Sequence, residues 1–379
     1  IVIPPPNVTG SLHMGHALNN SLQDVLIRFK RMQGFETLWQ PGTDHAGIAT
    51  QAIVEKNLEK ENLNKNVIGR DDFIKRVWNW KEESGGIILD QLQKLGCSCD
   101  WSRTRFTMDK DLSKAVIKVF VDLYNDKFIY KDKKLVNWDT KLKTAISDLE
   151  VDQRDEQSQL YYIDYPIENS EKKITIATTR PETMMGDTAI AVNPKDERYK
   201  SLIGKNVRIP LVNRIIKIIT DSYADPEQGS GAVKITPAHD FNDYDVGKRN
   251  NLKIINILEK NGSINKNGIK EYIGLDRFEA RKILIKKLKE EGFLQKIETI
   301  KNTIPYGDRS NTIIEPLLTE QWFVDAKKLA KKPIKVVENK KTTFYPANWT
   351  KTFFQWMKDI EPWCISRQIW WGHRIPAWY

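Results

Sequence analysis

Apolar residues recur at helical spacing near the start of the chain. After the short β-branched run Ile1-Val2-Ile3, stopped by Pro4-Pro5-Pro6, the segment Thr9-Gly10-Ser11 leads into Ala17, Leu18, Leu22, Val25, Leu26 and Phe29. Steps of three and four predict an amphipathic helix that ends before Gly34. A strand, a Pro/Gly turn and a helix open a βα unit of the kind found in doubly wound sheets. Further helical stretches are predicted over about 50–95 and 110–127. From Tyr161 to about Ile300 the texture changes to short β-branched runs between turn residues: ITIATT, TAIAVNP, VRIPLV, IIKIIT and AVKITP. A Lys/Glu-rich helix over 278–291 closes this β-rich module, and the tail from Ile313 is dense in Trp and Pro. The pattern predicts an α/β protein with boundaries at 1–150, 151–305 and 306–379, the middle segment being a β-rich insertion. No repeat with a period of 20–50 residues is present.

Composition narrows the classes. Hydrophobic residues make up 40% and charged residues 29% of the 379, and mean hydropathy is −0.53. No apolar run reaches the roughly 18 residues that a spanning helix needs, so no membrane role is expected. The charge of +10 favours a polyanionic partner without naming one, and the Lys/Asn/Ile-rich stretches read equally as solvated faces. Three cysteines, Cys97, Cys99 and Cys364, do not form a disulfide framework; unpaired thiols and a reducing, cytoplasmic compartment are expected. The apolar start and aromatic end read as those of a fragment.

Four segments carry chemistry. His13-Met14-Gly15-His16 puts two imidazoles where a strand turns into a helix, a corner suited to a phosphate because helix starts offer unpaired N–H groups and a positive dipole end. Two histidines filling a turn is the alternative. Zinc is disfavoured, with only three further histidines and neither CxxC nor HExxH, and no metal site is expected. Asp44, within Gln40–Gln51, sits among small residues, as an Asx turn would also place it. Thr178-Thr179-Arg180-Pro181-Glu182-Thr183 and the run from Gly229 to Tyr244, containing HDFNDYD, match neither a P-loop nor a dinucleotide fingerprint, and the latter reads by itself as a capped helix start. The strings around Trp322 and from Trp363 to Pro376 are aromatic clusters of the kind that usually fill cores.

The thirteen residues Pro4–His16 resemble the HIGH motif of class I aminoacyl-tRNA synthetases, in the HMGH form of the valyl branch. The resemblance extends over essentially the whole chain and implies a Rossmann-like catalytic domain interrupted by a barrel-like editing domain. It implies an ATP site at Asn7, Thr9, Gly10, His13, Gly15 and His16, with His13 and His16 as the catalytic pair stabilising charge at the α-phosphate. Gln40–Gln51 looks like the loop whose Asp, here Asp44, receives the valine ammonium, with Pro4, Pro5 and Asn7 opposite. Trp322, Ile365 and Trp370 are implied to line the valine side-chain pocket. TTRPET and HDFNDYD resemble the editing insertion, which assigns Asp243 and Asp240 to the mischarged amino group. The same resemblance puts Thr178, Thr179, Arg180, Thr183, Lys234 and His239 around the terminal adenosine and its ester. ATP as substrate, Mg²⁺, valine and tRNA(Val) follow as expected partners, and a monomer as the expected state.

The editing insertion has a physical reason: a greasy pocket sized for valine cannot strongly reject the near-isosteric threonine, for which enzymes of this kind are known to reach only about a hundredfold. With no GxSxG elbow in the chain, a positioned water is the expected nucleophile. The family's second ATP motif, a KMSKS-like lysine loop, does not occur in these residues, so little or no aminoacylation by the segment alone is expected. The competing expectations are an editing-only deacylase, which needs only about 150–310 and has no use for HMGH or GTDHAG, and a noncatalytic tRNA-binding module.

Overall fold

The structure, a computed structural model, describes residues 1–378 and is α/β, as the sequence pattern predicts. Two compact units emerge: Ile1–Tyr130 with Val324–Pro362 and Ser366–Tyr379, and Lys131–Phe323 with Trp363–Ile365.

In the first unit the expected opening strand is reduced to single parallel bridges, Val2 to Gln40 and Asn7 to Asp44. The cause is covalent, because Pro4-Pro5-Pro6 supply no N–H to a ladder. Helix α1 (Met14–Met32) follows, then β1 (Gly42–Thr43), α2 (Gly47–Lys60), α3 (Lys65–Ile68), α4 (Arg70–Lys94), β2 (Arg105–Phe106) and α5 (Lys110–Asn125). β1 and β2 are parallel, and a Cβ on Gly42 would stand 2.8 Å from the Arg105 carbonyl, so only glycine permits this approach. Parallel pairings joined by helical crossovers are the layout of a doubly wound sheet. Ile3, Ile27, Trp39, Ile88 and Leu92 form one core; Val8, Val54, Leu58, Phe73, Val77, Phe106 and Trp371 form another.

The second unit is β-rich. β3 (Ile129–Asp139), which starts at the end of the first unit, and β4 (Thr144–Ile146) join β12 (Glu315–Val324) and β13 (Trp363–Cys364) in the order β13-β12-β3-β4. β5 (Val151–Pro166), β6 (Lys173–Thr178) and β11 (Leu294–Gly307) form the sheet β11-β5-β6. β7 (Ala189–Val192), β8 (Asn206–Arg208), β9 (Ile215–Thr220) and β10 (Ala232–Ile235) form the sheet β10-β7-β9-β8. The last two sheets meet where β6 lies against β10 and where an Ile167–Val207 bridge ties the end of β5 to β8. One core runs through them, from Ile163 and Tyr165 to Leu284 and Leu288. Helices α6 (Phe241–Arg249) and α7 (Arg277–Glu290) complete this unit.

Some elements differ from expectation. The run VRIPLV extends only to Arg208, since Pro210 cannot donate and Leu211 and Asn213 adopt positive φ. α8 (Ala326–Glu338) and α9 (Trp349–Lys358), both in the first unit, were not legible in the tail; Pro333 lies inside α8.

Candidate functional site

Candidate residues gather in two places, one per unit. In the first, α1 starts at His13, whose Nδ1 accepts from the Gly15 N–H at 3.1 Å, while the His16 Nδ1 accepts from the His13 N–H at 3.2 Å. This reciprocal cap fixes the tautomers: with both Nδ1 atoms accepting, each neutral ring carries its proton on Nε2. The rings lie 3.9 Å apart, His13 exposed and His16 half-buried. Partial burial and then the neighbouring His13 lower the His16 pKa, so the ring stays neutral and donates from Nε2. No acidic residue occupies the first turn of α1, which leaves its positive end uncompensated.

The strand-to-helix loop is held from behind. Val8 is fully buried, its carbonyl accepts from the Trp80 indole at 2.8 Å, and the Leu12 N–H donates to Gln91 at 2.8 Å. Asp44 comes alongside Asn7: its N–H donates to the Pro6 carbonyl at 2.8 Å, and its carbonyl accepts from the Val8 N–H at 3.0 Å. Pro4, Pro5 and Asn7 are exposed and Thr9, Gly10 and Asp44 are half-buried. One carboxylate oxygen of Asp44 accepts from the Ala46 N–H at 2.6 Å, the Asx turn that its context foreshadows.

Sequence reasoning missed a second layer here. Gln51 Oε1 accepts from the N–H groups of both Trp370 and Trp371, at 2.8 and 3.1 Å, and the Trp371 indole donates to the His45 carbonyl. His45 Nδ1 lies 2.6 Å from the Thr107 hydroxyl, and its pKa is lowered by burial and by His373 against the pull of Asp44. Trp370 packs edge-on against Phe73, so it joins the Asp44 loop as much through the core as through any cavity. Trp322 and Ile365 belong to the second unit, where the Ile365 N–H donates to the Trp322 carbonyl at 2.9 Å. The three residues expected in one side-chain pocket therefore divide between the two units.

In the second unit, TTRPET bends into a tight helical turn (Pro181–Gly186) after β6. Arg180 does not stand free: it donates to the His239 carbonyl at 2.8 Å and to Glu315, which also takes the buried Arg277 at 2.7 Å. Glu182 pairs with Arg281 through two bonds of 2.6 and 2.8 Å. Thr178 caps the Arg180 N–H and Thr183 donates back to the Arg180 carbonyl, whereas Thr179 is half-buried. The GSG segment is a structural turn, with Gly231 at φ +80° and a Cβ there landing against Arg198.

HDFNDYD does start a helix. Asp240 is the N-cap of α6, accepting from the N–H groups of Asn242 and Asp243. Asp243 is 5% exposed, its Oδ2 accepts from the Thr236 N–H at 2.8 Å, and burial, then the adjacent Asp240, push its pKa up to about 7. His239 is buried, with Nε2 accepting from the Ile257 N–H and Nδ1 unpartnered; burial, then Arg180 and Lys234, hold it well below the usual range. Lys234 spends its ammonium on Thr183 at 2.7 Å, Thr236 at 2.5 Å and Asp187 at 3.2 Å. Asp187, Thr236 and Tyr165 were not foreseen, although the GDT of Gly186-Asp187-Thr188 directly follows TTRPETMM.

Two cavities, of about 220 and 200 Å³, lie elsewhere and include none of the candidate residues. The described residues contain no cluster of three or more His, Cys, Asp or Glu able to hold a metal ion. Cys97 and Cys99 are buried free thiols; burial pushes Cys99 up to about 12, which makes it a poor nucleophile.

The fold is α/β, and residues 1–379 match the family described as tRNA synthetases class I (I, L, M and V). The chain belongs to that family. Over its whole length it is 72% identical to the Valine--tRNA ligase of Pelagibacter ubique and 58% identical to that of Bradyrhizobium diazoefficiens. It covers 43% and 42% of those proteins, so it spans less than half the length of these relatives. Among solved structures, a LeuRS-tRNA-LeuAMS complex of Agrobacterium radiobacter K84 matches 83% of this chain and 45% of its own, at 21% identity and a TM-score of 0.36.

Proposed function

We propose that this chain carries the valine-activating and proofreading chemistry of a valine--tRNA ligase. The observation that carries the first half is the Asn7–Asp44 bridge, which sets an acid able to hold an ammonium beside the loop that runs into the paired imidazoles. ATP bound at the α1 start meets two Nε2–H donors and an uncompensated positive helix end, groups that stabilise the charge gathering on the α-phosphate as the valine carboxylate attacks and pyrophosphate leaves. The protein supplies position and field; no covalent nucleophile is needed. Mg²⁺ is held mainly by substrate phosphates and water rather than by a protein cage, and no step is routed through it. A hydroxyl of the terminal ribose of tRNA(Val) then attacks the valyl carbonyl, the bond to the phosphate breaks and AMP leaves.

Residues 151–305 are read as the editing domain, with Asp243 receiving the ammonium of a misattached threonine while a positioned water cleaves the ester. Thr183, Lys234 and Asp243 bring polar groups together where a threonine hydroxyl, unlike a valine methyl, finds hydrogen-bonding partners. The intact HMGH and GTDHAG loops weigh against an editing-only deacylase. Two variants of the full-length gene product test the proposal. Asp44→Ala is expected to raise the valine KM at least tenfold in pyrophosphate exchange, and an unchanged KM removes Asp44 from its role. Asp243→Ala is expected to abolish threonyl-tRNA hydrolysis while leaving valine activation intact. Persistent deacylation refutes the editing half.

A further inference from the structure

Asp187 closes the turn that follows β6 and is fully buried. Its Oδ1 accepts from the Thr236 hydroxyl at 2.6 Å and from the Lys234 ammonium at 3.2 Å, and its Oδ2 accepts from the Tyr165 hydroxyl at 2.8 Å. Burial raises the Asp187 pKa, and the Lys234 ammonium with the Thr236 and Tyr165 hydroxyls opposes it; as a carboxylate Asp187 only accepts, which sets the direction of these bonds. The Tyr165 and Thr236 hydroxyl protons point at Asp187, which turns the Thr236 lone pairs toward Lys234. The three hydrogens of Lys234 are then all assigned, to Thr183, Thr236 and Asp187. The same Thr236 donates its backbone N–H to Asp243. Two arms thus run from one hidden carboxylate, through Lys234 to Thr183 and through Thr236 to Asp243.

We propose that Asp187 is a positioning residue of the hydrolytic site, fixing Lys234 and Thr236 so that the Asp243 carboxylate is held in one place and in one electrostatic setting. This rests on the editing reading above. The groups facing Asp243 are Asp240 on its own helix, Lys234 on β10, Asp187 behind Lys234, and Tyr223 from the segment after β9. His239, next to Asp240, is neutral. Replacing Asp187 by a neutral residue removes a like charge from Asp243 and relieves Lys234 of a competing anion. Both changes favour the ionised form of Asp243 and act in the same direction.

The test is Asp187→Asn in the full-length gene product, with threonyl-tRNA hydrolysis followed across neutrality. The plateau rate is expected to fall about tenfold, because the amide no longer fixes either arm. The acid limb is expected to move to lower pH by about half a unit or more. A residue that only filled space would lower the rate without moving the limb. Asp243→Ala serves as the reference. If it still deacylates, the hydrolytic reading itself falls; if it is dead while a folded Asp187→Asn keeps both rate and limb, the positioning role alone falls. Should Asp187→Asn fail to fold, Tyr165→Phe loosens the same carboxylate at nearly constant volume. It is expected to slow hydrolysis about threefold, and an unchanged rate then overturns the proposal.

Discussion

Asp243 shows how a single side chain trades stability for chemistry. Its carboxyl, moved from the ordinary 3.8 up to about 7, binds a proton more tightly in the folded chain than in the unfolded one. Its contribution to stability is therefore fully present below the unfolded value and is lost as pH rises through about 7. Asp243→Asn should accordingly stabilise the fold above neutrality, by about 2–4 kcal/mol, and change little in acid; urea unfolding at two pH values checks this. On the editing reading proposed above, threonyl-tRNA hydrolysis by the full-length gene product should weaken as pH falls through neutrality, because a protonated Asp243 no longer holds an ammonium. The Asp in HDFNDYD was visible in the sequence, but its environment was not. Burial beneath β10 and the second carboxylate of Asp240 are products of the fold, and spacing along one segment does not report them.

At the scale of elements, buried charge organises the turn after β6. Arg180 and Arg277 converge on Glu315, while Arg281 grips Glu182. Glu315→Gln removes the anion that Arg180 and Arg277 share, leaving them the longer contacts to Glu182 at 3.6 Å and Asp276 at 3.5 Å, and is expected to cost about 3 kcal/mol, measured as a lower midpoint in denaturant. Gly231→Ala combines φ +80° with a Cβ driven into Arg198 and should cost about 1–3 kcal/mol in the same assay. Elements with an apolar stripe at a regular period were legible, namely α1, α4, α5 and the short β runs, whether the structure buries that stripe, as in α4, or leaves it exposed, as in α1 and α5. The ribbon of β5 and β11 was not, because most of its side chains face solvent on both sides and sequences such as VDQRDEQSQ carry no alternation. The tail helices were hidden by Pro333 and by the density of Trp.

At the scale of the whole molecule, α1 leaves Met14, Leu18, Leu22, Val25, Phe29 and Met32 largely exposed, a stripe at steps of three and four along one face. The isolated 379-residue chain is expected to bind an apolar dye strongly, and Leu22→Glu combined with Phe29→Glu to suppress most of that signal; an unchanged signal argues that the stripe is covered in solution. Finally, the register of β5 and β11 puts Leu160 directly opposite Glu298. Everything between those two positions leaves and returns through neighbouring strands, at a gap that a two-residue Asn-Gly turn closes. The intervening stretch is in effect a cassette. On the function proposed above, excising it from the full-length gene product and relieving Glu315 of its charge is expected to leave valine-dependent pyrophosphate exchange in place while threonyl-tRNA hydrolysis is lost.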